Sequence, residues 1–193
     1  MRRRYAIATG LAILIIAVAA IVIAMTRMTG TPMPKPAIGM EPQNVGKLDV
    51  NDTFTVNVTV ENCVDIYAVQ VDLRYDPQVL NVTNILEGPF LPSAGSTFAV
   101  NMTAQSLNTT PPTTRLIFVD TKMGSEPAAD ASGNGTLLTI TCQVLSNGST
   151  QLQFYPYSAG TGTSIGTYFL KRDLTEIIPE LHNGSYGSSP IIS

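Results

Sequence analysis

Residues Val64–Val82 read VDIYAVQVDLRYDPQVLNV, and this stretch decides the fold. Along Tyr67–Tyr75 every second residue is apolar or aromatic, and small or polar residues fall between them. A period of two predicts a β-strand with one buried face and one solvated face. Asp76-Pro77 ends this strand, because proline lacks the N–H that a strand ladder needs. A second apolar run begins at Val79, so the stretch predicts two strands joined by a tight corner.

The same alternation continues along the rest of the chain. Residues 53–60 and 136–145 alternate apolar with polar side chains, and residues 115–120 and 151–157 form further strand-like segments. Turn residues such as Asn147-Gly148 separate these segments, as turns separate strands in β proteins. Eight or nine short strands predict an all-β protein, a β-sandwich of jelly-roll or Greek-key type.

The N-terminus has the pattern of a membrane anchor. Three consecutive arginines precede an uncharged apolar run over residues 5–25. About 20 apolar residues, each rising about 1.5 Å, span a bilayer core of about 30 Å, and basic residues stay on the cytoplasmic side. The pattern predicts a single-pass cell-membrane protein with an extracellular C-terminal domain, and a cleaved signal peptide is the alternative. The expected order is a cytoplasmic segment 1–4, the transmembrane anchor 5–25, a proline-rich extracellular linker 26–46, the sandwich 47–188 and a tail 189–193.

The composition excludes one class of partner and bears on the two cysteines. Only 13% of the 193 residues are charged and the net charge is −3, so nucleic acid is not expected as a partner. Cys63 and Cys142 have no neighbouring histidine that would indicate a zinc site. In an oxidising extracellular compartment they are predicted to form a disulfide. Antiparallel pairing of their strands would instead place Cys142 nearer Asn57.

No catalytic or metal-binding pattern emerges from the sequence. His182 is the only histidine, and it has no serine or cysteine partner in a recognisable arrangement. The acidic residues Asp120, Glu126 and Asp130 lack the regular one-residue spacing of a calcium loop. The sequence therefore predicts a protein that is not an enzyme and that carries no cofactor and no metal.

Acceptor tripeptides for N-glycosylation are unusually frequent. Eight of the eleven asparagines head an N-x-[ST] tripeptide without proline in the middle. A glycan needs an asparagine that faces solvent, and these positions fall in turns or on the polar side of strands. The predicted glycosylation sites are Asn51, Asn57, Asn81, Asn101, Asn108, Asn134, Asn147 and Asn183.

The central stretch also resembles a known family. A strand that ends in Y-D-P-x-V-L, here Tyr75–Leu80, is similar to the signature of cohesin domains, which receive dockerins in cellulosomes and on some cell surfaces. Further similar blocks follow in the same order, namely Gly88–Leu91, Leu116–Asp120, Gly133–Ile140, Glu176–Pro179 and Asn183–Tyr186. The resemblance covers residues 46–188 and implies a cohesin-like sandwich.

Cohesins recognise dockerins through one sheet face, so the resemblance implies a binding face on the outward side of the matching strands. By strand parity, the candidates for this face are Gln70, Asp72, Arg74, Arg115, Ile117 and Val119. A solvent-facing Ile117–Val119 pair favours an interface. Asn101 is expected to project from the same sheet, where a glycan would crowd a protein partner.

The sequence thus predicts a non-catalytic cell-surface module for adhesion or scaffolding, with a dockerin-like protein as its partner. Two alternatives stay open. A carbohydrate-binding module for polysaccharide would use Tyr155, Tyr157 and Tyr168 as a stacking strip. A structural stalk of the surface layer would need no partner. Exposed stacked tyrosines would favour sugar, whereas a flat apolar patch around Ile117 would favour protein.

Overall fold

The computed structural model describes residues 34–107, 112–124, 130–159 and 164–187. Within these residues the chain forms fifteen β-strands and one short 3-10 helix, Pro92–Ala94. Eight of the strands have five or more residues, so the predicted all-β class is confirmed. The strands are β1 (Ala37–Glu41), β2 (Asn44–Val45), β3 (Thr53–Ile66), β4 (Ala68–Tyr75), β5 (Leu80–Glu87), β6 (Thr97–Leu107), β7 (Thr113–Lys122), β8 (Ala131–Val144), β9 (Thr150–Phe154), β10 (Ser158–Ala159), β11 (Ser164–Ile165), β12 (Tyr168–Leu170), β13 (Glu176–Ile177), β14 (Glu180–Leu181) and β15 (Gly184–Tyr186).

Two sheets form the sandwich. The first sheet has the strand order β14-β1-β3-β8-β5. The second has the order β13-β12-β4-β9-β15-β2, with β7 on the other side of β4 and β6 beyond β7. The pairs β1–β14 and β2–β15 are parallel, whereas the long strands pair antiparallel. Between β3 and β9 the chain crosses from one sheet to the other after β3, β4, β5, β7 and β8, so both sheets contribute side chains to one core.

The stretch that predicts the fold forms the expected strand, corner and strand. In β4, the alternate residues Val69, Val71, Leu73 and Tyr75 are all buried. The corner is closed by Asp76, whose Oδ1 accepts a hydrogen bond from the backbone N–H of Gln78 at 2.8 Å. Its carbonyl oxygen accepts a second bond from the N–H of Leu80 at 3.1 Å, and β5 begins there. A short acidic side chain that bonds the backbone two residues on is the usual chemistry of such a turn.

The core is built by alternation in the first sheet as well. Val56, Val58 and Val60 of β3 are buried, and so are Ile140, Cys142 and Val144 of β8. Phe54 stacks on Tyr186 with ring centroids 5.3 Å apart, which joins the start of β3 to the last described strand. Each fully buried aliphatic side chain stabilises the fold by about 1.5–3 kcal/mol.

The sandwich begins earlier than the sequence predicts. β1 and β2 lie inside residues 26–46, which were expected to form a linker, so the domain boundary at residue 46 is wrong. β1 pairs with β3 along its whole length and buries Ile38 and Met40. The prolines that flank β1, Pro36 and Pro42, hide this strand from sequence reasoning. Proline is tolerated at the ends of a strand, where its missing N–H breaks no ladder.

The remaining parts of the predicted membrane topology lie outside the described residues. These are the segment 1–4, the anchor 5–25 and the tail 189–193. Within the part of the chain that the structure describes, no helix is long and apolar enough to cross a membrane.

The predicted disulfide is wrong. Cys63 and Cys142 are both buried free thiols. In the β3–β8 ladder Cys63 lies opposite Gly133, whereas Cys142 lies opposite Phe54, nine residues away along β3. Nine strand residues span about 30 Å, far beyond the Cα separation of about 7 Å that a disulfide tolerates. Burial raises the pKa of both thiols to about 12, so they stay protonated in the core.

Candidate protein-binding face

The six predicted face residues lie together on the outer side of the second sheet. Antiparallel pairing of β4 with β7 places Gln70 opposite Val119, Asp72 opposite Ile117, and Arg74 opposite Arg115. Residues directly opposite each other in a ladder point to the same face. Their neighbours Leu116 and Phe118 point inward and are buried. We call the outer surface of β4, β7 and β6 the docking face.

β6 extends the docking face with three exposed apolar side chains. Phe98, Val100 and Met102 are 58%, 42% and 56% exposed. Val100 lies opposite Val119, and Met102 lies opposite Ile117, so they continue the rows of β7. These residues were not predicted as part of the face, although their alternation with Ala99 and Asn101 is a signal for it. The five apolar residues form the apolar row of the docking face: Phe98, Val100, Met102, Ile117 and Val119.

One predicted contact residue is not accessible to a partner. Asp72 points to the outer side of β4 as predicted, but it is 0% exposed. Arg115 donates to its Oδ2 from Nε at 2.9 Å and from Nη2 at 2.7 Å. Arg74 Nε lies 4.0 Å from its Oδ1. The expectation of a solvated Asp72 is therefore wrong, because two arginines cover its carboxylate. Both nitrogens of Arg115 bond to one oxygen, Oδ2, and these charge-assisted bonds fix the orientation of the guanidinium.

A tyrosine completes this polar cluster from the other side of β4. The guanidinium carbon of Arg74 lies 3.3 Å from the centroid of the Tyr155 ring, a cation–π contact. The backbone N–H of Tyr155 donates to the carbonyl of Asp72 at 2.8 Å. Thr167 Oγ1 accepts from the N–H of Asp72 at 3.1 Å. Gln70, the remaining polar candidate, donates from Nε2 to the carbonyl of Gly166 at 2.9 Å. These bonds hold the polar part of the docking face in one arrangement.

The tyrosines do not form an open stacking strip. Tyr155 lies under Arg74, and Tyr157 packs against Tyr168 edge to face, with centroids 5.1 Å apart and planes at 62°. The hydroxyl of Tyr157 donates to Glu176. Burial, followed by the charge of Glu176, raises the pKa of Tyr168. All three rings are half-buried against protein atoms.

Two of the acidic residues considered above have intramolecular roles. Asp130 Oδ1 accepts from Arg172 at 2.7 Å and lies 3.8 Å from Lys122. Asp120 is buried on the inner side of β7, and burial raises its pKa to about 7, helped by the charge of Glu87 and a hydrogen bond to it. In turn, the hydroxyl of Thr97 donates to Glu87. The third acidic candidate, Glu126, lies outside the described residues.

The structure places seven of the eight predicted glycosylation sites, and Asn108 lies outside the described residues. Asn57 and Asn81 point outward from the first sheet, opposite Thr139 and Gln143. Four of the sites are exposed in turns or near strand ends, namely Asn51, Asn134, Asn147 and Asn183, and Asn101 is exposed in the middle of β6. The expectation for Asn101 is wrong, because it lies opposite the inward-facing Phe118 and so points away from the docking face. None of the seven points out of the docking face.

The fold and this geometry define a class of protein. It is a β-sandwich module with one sheet face that combines an exposed apolar row and a rigid arginine cluster. The chain belongs to the cohesin domain family, whose model matches residues 38–166. The family resemblance of the sequence is thereby confirmed, and cohesin domains are non-catalytic binding modules. Among curated proteins none matches the chain.

Solved cohesin structures share the fold. A non-cellulosomal cohesin from the archaeon Archaeoglobus fulgidus is 18% identical to this chain, with a TM-score of 0.54. The match covers 79% of this chain and 90% of the archaeal cohesin. A type II cohesin domain from the cellulosome of Acetivibrio cellulolyticus is 17% identical, with a TM-score of 0.60. The match covers 80% of this chain and 96% of that domain. A chain in a type I cohesin–dockerin complex from Clostridium thermocellum is 17% identical, with a TM-score of 0.52. The match covers 79% of this chain and 98% of that chain.

Proposed function

We propose that this chain is a non-catalytic module for adhesion or scaffolding that binds a dockerin-bearing protein through the docking face. The observation that carries the proposal is the apolar row, in which exposed side chains of β6 continue the Ile117–Val119 pair of β7. Single exposed apolar residues are ordinary, but a contiguous row on one sheet face indicates an interface. The Clostridium thermocellum structure is a complex with a dockerin, and this supports the class of partner.

The two parts of the docking face would divide the work of binding. The apolar row offers area that loses water on contact, and Ile117 lies on the middle strand of the docking face, between Met102 and Asp72. Buried central side chains of this kind carry most of the energy of an interface. Arg74 and Arg115 lie beside the row and are held by Asp72 and Tyr155. Fixed charges at the rim set orientation and association rate more than affinity. We therefore expect a partner surface with apolar anchors and a carboxylate that reaches Arg115.

We place this module outside the cell, on the basis of the apolar run at residues 5–25 and the frequency of sequons. In this arrangement the chain is a single-pass glycoprotein of the cell membrane. Because no described sequon asparagine points out of the docking face, glycans at these positions would leave the face open to a partner.

The proposal is tested by a binding titration of a dockerin domain against two variants, Ile117→Asp and Met102→Asp. Each places a charge on the apolar row that the partner would desolvate and should weaken binding by at least about 2 kcal/mol, well over tenfold in Kd. The matched control is Leu86→Asp, which removes a 57% exposed apolar side chain from the outer side of the first sheet. It should bind as the wild type does.

A thermal melt of each variant checks that the fold is intact. If both docking-face variants bind the dockerin like the wild type, the docking face is a solvated surface. The function would then be that of a carbohydrate-binding module or a stalk, and titration with polysaccharide would separate these two.

A further inference from the structure

The second sheet ends in a long strand whose outer edge is open. β6 has eleven residues and pairs on one side with β7. Among the described residues, no strand pairs with its other side. Backbone N–H and C=O groups on an open edge are a template for another strand, and natural proteins blunt such edges with charges, prolines or bulges.

β6 lacks most of these protections. Its sequence, TFAVNMTAQSL, contains no charged residue and no proline. Its pairing with β7 is regular from Thr97 to Thr103, and the irregularity follows between Thr103 and Gln105. The regular part carries the exposed residues Phe98, Val100 and Met102. An uncharged, regular strand with exposed apolar side chains is suited to pairing with another strand.

The other sheet edges in the described part of the chain are protected. β2, β13 and β14 have only two residues each, too few to template a strand. β5 forms the long edge of the first sheet, and a bulge interrupts it between Val82 and Asn84. β5 also presents the exposed residues Asn81 and Glu87. The open edge of β6 is therefore a particular feature of this strand and not a general property of the sandwich.

The strand that fits this edge best is a second β6. Antiparallel pairing about Val100 puts Val100 opposite itself and Phe98 opposite Met102 of the other copy, so apolar side chains meet on one face. On the other face Ala99 stands opposite Asn101, and its small side chain leaves room for an asparagine that carries no glycan. A strand with charged residues would lose these cross-strand contacts. Such a contact is the same on both copies and closes after two, which is the commonest symmetry of soluble oligomers.

We propose that two copies of this chain associate by antiparallel pairing of their β6 strands about Val100. The two second sheets then form one continuous sheet, and the apolar rows of two docking faces become neighbours. This inference does not depend on the dockerin-bearing partner proposed above, because it concerns the edge of the sheet.

The test is site-directed cross-linking of the full chain in mild detergent. Val100→Cys places a thiol on the twofold axis, where facing Cα atoms are about 4.5–5.5 Å apart and within reach of a disulfide. The native thiols are buried and serve as a constant background. Mild oxidation should link most of the Val100→Cys protein into a dimer that reductant dissolves. The matched control, Leu86→Cys on the outer side of the first sheet, should form no covalently linked dimer.

Two further variants test the register of the β6–β6 pairing and whether the uncharged edge of β6 causes it. Met102→Cys alone faces Phe98 of the other copy and should link much less than Val100→Cys. Val100→Lys adds a charge to the edge and should make the chain monomeric in sedimentation velocity, while its thermal melt stays that of the wild type. The wild type itself should sediment as a dimer.

Three results would overturn the inference. The first is a wild type that sediments as a monomer at every concentration. The second is a Val100→Cys chain that links no better than Leu86→Cys or Met102→Cys. The third is a linked product of a different mass, which would assign the edge to a strand of another protein.

Discussion

The buried carboxyl of Asp120 should make the stability of this protein fall as the pH rises. Its pKa is raised from 3.8 to about 7, first by burial and then by the charge and hydrogen bond of Glu87. Between pH 3.8 and about pH 7, the unfolded chain releases the proton of Asp120 while the folded chain keeps it. Stability therefore decreases with rising pH by about 1.36 kcal/mol per pH unit, up to about 4 kcal/mol in total.

Asp120→Asn isolates this effect. The amide of asparagine keeps the size of the side chain and donates a hydrogen bond to Glu87, but it does not titrate. Urea unfolding at a series of pH values from 4 to 8 measures the free energy of unfolding of both proteins. We expect near-equal stability at about pH 4 and a more stable variant at about pH 8, by a few kcal/mol.

The control for a general charge effect is Asp173→Asn. Asp173 is fully exposed, and hydrogen bonds from Thr175 lower its pKa, so its removal should not flatten the profile between pH 5 and 7. Parallel profiles of the wild type and Asp120→Asn across the whole range would show that Asp120 is ionised in the folded protein. The reasoning from burial and the Glu87 contact would then be refuted.

Three further outcomes follow from the structure. Cys63 and Cys142 are both buried and free, so neither should react with a thiol reagent in the folded protein. Both should react once the protein is denatured without reductant, and one reactive thiol or none in denaturant would contradict this. Asp72→Ala should lower the free energy of unfolding by about 2–3 kcal/mol, because it leaves Arg115 partly buried without its carboxylate; a urea titration that shows no loss would mean that water replaces the pair. Leu116→Asp should unfold the domain because it buries a charge. The thermal melt of this variant should show no cooperative transition, and a cooperative transition like that of the wild type would place Leu116 outside the core.

Local patterns made much of the sandwich predictable. The β4 corner was predictable because its signals lie within a few residues, namely alternation followed by Asp76-Pro77. The turn bonds of Asp76 to Gln78 and Leu80 depend on no distant part of the chain. β1 was missed because it has only five residues between two prolines, and its place in the sandwich comes from pairing with β3.

The candidate site was predicted in part. Strand parity placed Ile117 and Val119 on the outer side of β7, and the structure brings them together with Gln70 and Arg74 on one face. Parity failed for Asp72, since its burial depends on Arg115, 43 residues further along the chain. A carboxylate at an outward position is solvated only if no distant residue covers it.

The sequence by itself determined which residues alternate, where the chain turns and which family it belongs to, because these signals are carried by neighbouring residues. Only the tertiary structure decided which side of β6 faces water. In β6 the apolar side chains Phe98, Val100 and Met102 face outward, since β6 pairs with β7 in a register that puts them beside the outward residues of β7. Only the structure decided the register that separates Cys63 from Cys142, because the pairing of β3 with β8 puts Cys142 opposite Phe54 and Cys63 opposite Gly133. Alternation specifies two faces of a strand, and the neighbouring strands determine which of them is buried.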